Sequence, residues 1–193
     1  MVSGGGVSVR PTPGIVAFYL FLLILVFFFY LFDLQGLTLS VPVLMIMSPL
    51  IFRTEIRLSA GLRSLGEALL LSSTVLLPLV FFVLVSGGRL ILPPLRAVSF
   101  HLLIASIPEE VFFRGVLQEK SGNTGSAVFL SSIAFTGLHS PRYLIGGDLS
   151  AILTFFPSLI MGWLYMKKRN LLYPITFHFL SNLFFISILG PRL

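Results

Sequence analysis

From Ile15 to Phe32 the chain runs for 18 residues without a charged side chain. As a helix, a stretch of that length rises just far enough to cross the hydrocarbon core of a bilayer, about 30 Å. It lacks a small-residue cleavage site and is longer than a usual signal h-region, so it reads as a retained anchor that follows a Gly-rich start. Six further apolar stretches follow at Leu37 to Phe52, Glu67 to Val85, Arg96 to Gln118, Gly125 to His139, Leu149 to Met166 and Leu171 to Leu189. The second is short and carries Pro42 and Pro49, which fits either a kinked span or one that does not cross fully.

Composition points to the same solvent. Only 10% of the 193 residues are charged, 56% are hydrophobic and the mean hydropathy is +1.01, whereas a soluble domain carries about 25% charge. The expected fold is all-α, a polytopic transmembrane helical bundle of about seven spans, with six to eight also fitting. The expected division is an N-terminal part, 1–66, holding a tail, two membrane helices and an inner segment, and a helical core, 67–193, together forming one membrane domain. Between Arg53 and Glu67 charges alternate with Leu and Ile at helical spacing. That segment reads either as amphipathic and lying on the inner interface or as an ordinary solvated loop.

The absence of cysteine excludes disulfides, thiolate nucleophiles and Cys-ligated zinc. A net charge of +6 raises the question of nucleic acid, but the basic residues are scattered over short loops with no basic stripe, so none is expected as a partner. Their distribution reads instead as topology. With the N-terminus inside, Arg10, Arg53, Arg57, Arg63, Lys120, Lys167, Lys168 and Arg169 face inward, and Arg89, Arg142 and Arg192 face outward. The excess on the inner side predicts N-in, C-out.

Three spans carry polar groups that such helices rarely keep. The fourth contains Pro108-Glu109-Glu110-Val-Phe-Phe-Arg114, placing two carboxylates and a guanidinium where each charge costs a few kcal/mol on insertion scales, at about +2.5 to +3.5. In an α-helix Glu110 and Arg114 lie about 40° apart, while Glu109 is about 140° from Arg114. Glu110 is thus expected to pair with Arg114, leaving Glu109 free to act as a general base. A buried pair that only fixes helix packing, or a cluster near the interface with Glu119 and Lys120, would give the same pattern. The fifth span ends with Phe135 and His139 on one face, and His139 also fits a helix-end cap. The seventh sets His178 and Asn182 at i, i+4, which fits interhelical hydrogen bonding for either alone and less well for both. His101 reads as a packing or hydrogen-bonding residue.

Glu109-Glu110-x-x-x-Arg114, Phe135-x-x-x-His139 and His178-x-x-x-Asn182 resemble, in order, the three motifs of the CPBP family of intramembrane peptidases, which includes the type II CAAX prenyl endopeptidases and the Abi proteins. The resembling region, about Glu67 to Leu189, makes 67–193 a CPBP-like catalytic core. The resemblance implies that Glu109 and His139 hold and activate a water, that His178 and Asn182 stabilise the oxyanion, and that Glu110, Arg114 and Phe135 support them. It implies an intramembrane endopeptidase cutting near the C-terminus of a membrane-associated protein or peptide, with prenylated CAAX-type substrates among those the family takes. The short chain, compact around its motifs, argues for a prokaryotic cytoplasmic membrane.

No cofactor is expected. Zinc on Glu109, His139 and His178 is the alternative, although no His-Glu-x-x-His helix occurs. The competing function is a nonhydrolytic membrane protein, either a proton-linked transporter or a bacteriocin-immunity partner. One strain stands out: Glu109 and His178 lie roughly 13 and 10 Å from the inner ends of their spans, but His139 lies roughly 21 Å from its own.

Overall fold

The computed structural model describes residues 11–34 and 37–189, and every regular element among them is helical. Arg10, Arg192 and the Gly-rich start lie outside the described residues. Thr12, in extended conformation, precedes Pro13 at the first position of α1 (Pro13–Leu31), where a missing N–H costs nothing. α2 (Ser40–Ile51) is only 12 residues long. α3 (Leu62–Val85) begins at Leu62, five residues before the expected start, after an extended Gly61. Between them, residues 54–60 form no helix. They lie as a strap pinned to the turn at 169–171: Asn170 Nδ2 donates to the Ser59 carbonyl at 3.0 Å, Ser59 N–H donates to Asn170 Oδ1 at 3.1 Å, and Leu171 N–H donates to the Arg57 carbonyl at 2.8 Å.

The next helix is a single rod, 95–118, with changing pitch. It is α-helical over Leu95–Phe100 (α4), π-helical over His101–Ser106, α-helical over Ile107–Glu110 (α5) and π-helical again over Val111–Gln118. Pro108 donates no hydrogen bond, and its ring would crowd the carbonyl four residues earlier in an α-helix. The widened turn ahead of it, closed by Ile107 N–H donating to the Leu102 carbonyl five residues back, relieves that crowding.

The chain continues through α6 (Gly125–Leu138), α7 (Ser140–Leu144), α8 (Ser150–Leu153), α9 (Phe155–Lys168) and α10 (Leu172–Leu189). Thr124 caps α6 by accepting from Ala127 N–H. Arg169 ends α9 in the left-handed conformation, after Lys167 and Lys168 in the last turn. The expected sixth span is thus two helices broken at Thr154. α6 packs chiefly on α9, α10 lies between α3 and α9, and α2 covers α5 and the π-helical turn that follows.

The polarity of the bundle is inverted relative to a water-soluble domain. α1 buries only Ile15, Leu22 and Phe29, one residue every seven, and exposes Leu20, Phe21, Ile24 and Phe28. α3 buries Ala68, Ser72 and Leu76 and exposes Leu70, Leu77, Phe81 and Phe82. Inside, by contrast, lie Glu110, Arg114, Gln118, Ser131, Ser158 and His178. An apolar exterior of this extent around a polar interior is what a hydrocarbon solvent permits. α1 and α3 are each long and apolar enough to cross a membrane, and α2, α6 and most of α10 are shorter apolar helices.

Candidate active site

The site forms where the middle of the 95–118 rod meets the C-terminal end of α6 and the first half of α10. Arg114 and Glu110 are both fully buried, with Nη1 donating to Oε1 at 3.1 Å. Arg114 Nη2 also donates to the carbonyl of Ser158 at 2.9 Å and to its hydroxyl at 2.7 Å. The pairing expected from α-helical spacing holds although the helix turns π at Val111, because the pair straddles the junction.

Glu110 holds His178 as well. The carboxylate can only accept, so the 2.9 Å contact from Nδ1 to Oε1 assigns a proton to Nδ1 and turns Nε2 towards Glu109. That nitrogen lies 3.7 Å from Glu109 Oε2, a buried oxygen that accepts no hydrogen bond from any described residue. His139 is arranged alike: its Nδ1–H donates to the Phe135 carbonyl at 2.9 Å, again freeing Nε2. His139 is also the C-cap residue of α6, so the capping and site readings describe one side chain.

Phe135 joins these parts. Its ring stacks on His139 at 4.8 Å and 29°, meets His178 edge-on at 5.6 Å and carries the Arg114 guanidinium 5.0 Å from its centroid. It is itself buttressed by Phe113 at 5.1 Å, which leads through Phe112 and Phe18 to Phe52. Such edge and stacked contacts are each worth about 0.5–1.5 kcal/mol beyond burial, and together they lock both imidazoles. The Glu109 charge is also felt at His139. The Phe135 ring touches both His139 and His178, which links the end of α6 to α10. Asn182 lies partly buried one turn beyond His178 and hydrogen-bonds to no described side chain.

One contributor was not singled out from sequence. Ser158, the one serine in the apolar α9, anchors Arg114; its only sequence signal is a serine inside a span. His101, read as a packing or hydrogen-bonding residue, lies on the first π-helical turn with Nδ1 buried and unpartnered.

Among the described residues no three His, Asp or Glu side chains converge closely enough to ligate one metal ion. Glu109, His139 and His178 therefore do not fit the zinc arrangement as they stand.

Residues 91–184 match the family model of Type II CAAX prenyl endopeptidase Rce1-like proteins. Over this stretch the chain is similar to the Rce1-like family. The Rce1-like segment contains every residue of the site, Ser158 included, and leaves out α1, α2 and α3. No curated protein and no solved structure matches the chain.

Proposed function

We propose that this chain is an intramembrane endopeptidase that hydrolyses a peptide bond near the C-terminus of a membrane-associated, lipid-modified protein or peptide. The observation that carries the reading is the arrangement around Phe135, whose ring touches both His139 and His178 while an unpartnered Glu109 oxygen lies 3.7 Å from His178 Nε2, inside a bundle with an apolar exterior. The Rce1-like match over the same residues supports the substrate class.

In this mechanism Glu109, assisted by His139, holds a water and takes its proton as the oxygen attacks the scissile carbonyl. Asn182 donates a hydrogen bond to the developing oxyanion, and His178, as the imidazolium with Nδ1–H held by Glu110, donates a second from Nε2–H. Glu110 and Arg114 are positioning residues: they fix the His178 ring angle and favour its charged form. The proton gained by the Glu109–His139 pair passes to the leaving amine, and no covalent intermediate forms. The proposed enzyme needs no metal. It is read as a bundle of about seven spans, N-in and C-out, in a prokaryotic cytoplasmic membrane.

The test uses purified protein in proteoliposomes and a peptide with a farnesylated cysteine four residues from its C-terminus. Cleavage that persists in a chelator and is lost in Glu109→Gln is the expected result. Absence of cleavage, together with proton flux that survives loss of His178 and Asn182, would replace the proposal by a transport function. Cleavage abolished by chelator and restored by zinc would replace the metal-free chemistry.

A further inference from the structure

The helical turn that follows His139 places a guanidinium at the rim of the site. α7 starts at Ser140, and Arg142 N–H donates to the His139 carbonyl at 3.1 Å, so Arg142 sits one tight turn beyond the proposed water-activating histidine. The turn is closed at its far side by Asp148 N–H donating to the Arg142 carbonyl at 3.0 Å, with Gly147 in the left-handed region at φ 68°. It is therefore a fixed feature.

The guanidinium itself is only partly committed. Arg142 Nη2 donates to Asp148 Oδ2 at 2.6 Å, and the side chain remains 43% exposed. Asp148 Oδ1 is occupied by the Ser150 N–H at 3.0 Å and its hydroxyl at 2.5 Å, so the carboxylate acts as a fixed post that aims Arg142. A guanidinium carries five N–H donors, and most remain available for a second carboxylate. By contrast, at the opposite end of the bundle Arg57 and Arg169 share Glu119, and Arg63 and Lys168 share Glu67.

The site needs such a group. Its own guanidinium, Arg114, is fully buried and bonded to Glu110 and Ser158, so it offers no contact to an anionic peptide end. A carboxyl terminus three extended residues past the scissile bond lies about 10 Å away from it, within reach of a side chain rooted one turn beyond His139.

We propose that Arg142 binds the free C-terminal carboxylate of the substrate and so sets how far from the chain end the enzyme cuts. This rests on the endopeptidase reading above, and the experiment separates the two. Two otherwise identical farnesylated peptides, one ending in a free acid and one in a carboxamide, are presented to wild type and Arg142→Gln in zwitterionic lipid. Wild type should cleave the acid with kcat/KM about tenfold higher than the amide. In Arg142→Gln that ratio should fall towards one, with amide cleavage unchanged.

If wild type cuts neither peptide, the endopeptidase reading itself fails. If wild type cuts both equally, or if Arg142→Gln keeps the preference or slows both peptides by the same factor, the enzyme stands and the role of Arg142 falls. Should Arg142→Gln be inactive on both, the acid-to-amide ratio in Arg142→Lys decides. A lowered ratio supports the carboxylate contact, since an ammonium lacks the two-pronged fork, and an unchanged ratio overturns it.

Discussion

Arg114→Met should be the most destabilising single substitution within the site, and the cost follows from what the guanidinium leaves behind. Arg114 and Glu110 are 0% exposed, and the arginine supplies one hydrogen bond to Glu110 and two to Ser158. Methionine fills much of the volume but leaves Glu110 with His178 Nδ1–H as its one remaining partner. Breaking a buried ion pair from one side costs about 3–5 kcal/mol. At about 2–4 °C per kcal/mol for a chain of this length, the melting midpoint of purified protein should fall by about 6–20 °C. Adding Glu110→Gln removes the stranded charge and keeps an oxygen for His178, so the double variant should recover at least half of the loss. A single variant melting within about 2 °C of wild type, or a second substitution that simply adds to the damage, would refute the reasoning.

Asn182→Ala should lower kcat by about 10²- to 10³-fold with little change in KM, as measured on the farnesylated peptide, because an oxyanion donor acts in the transition state. Gly162→Ala should destabilise by about 1–3 kcal/mol, because its methyl would lie 2.8 Å from Val128 Cγ1 at the α6–α9 contact; the double variant with Val128→Ala should melt above Gly162→Ala alone. The Ser150 hydroxyl beside Asp148, with further help from Arg142, lowers the Asp148 pKa from 3.8 to about 2. A lowered folded-state pKa adds stability above pH 4 that is lost as pH falls towards 2. The melting difference between wild type and Asp148→Asn should therefore shrink across that window, and a constant difference would contradict the assignment.

Much of the site's wiring is visible in linear spacing, because the groups concerned are near neighbours on one helix. Glu110 with Arg114 and Phe135 with His139 are i, i+4 pairs, and that interval brings side chains together with little help from the rest of the fold. The π-helical turns were not visible, since the wider pitch depends on how Pro108 and the packing of α2 and α6 shift the rod's carbonyls. Ser158 was missed for a related reason. It reaches Arg114 across 44 residues of sequence, and nothing in its local context marks it as a partner. The contact of one aromatic ring with both His139 and His178 was not legible either, because it depends on how α6 and α10 pack and not on spacing within either helix. The strap at 54–60 carries helical periodicity in its charges, yet its backbone is held open by Asn170 and Leu171.

The central claim is that Glu109 and His139, carried on different helices, act on one water. It is tested most directly by single-turnover cleavage rates of Glu109→Gln, His139→Ala and the double variant, each first shown to melt like wild type. If the two groups serve one proton transfer, each single substitution should slow cleavage by about 10²- to 10⁴-fold, and the double variant should be no slower than the slower single. Full cleavage by either single variant, or losses that multiply in the double, would contradict a shared site.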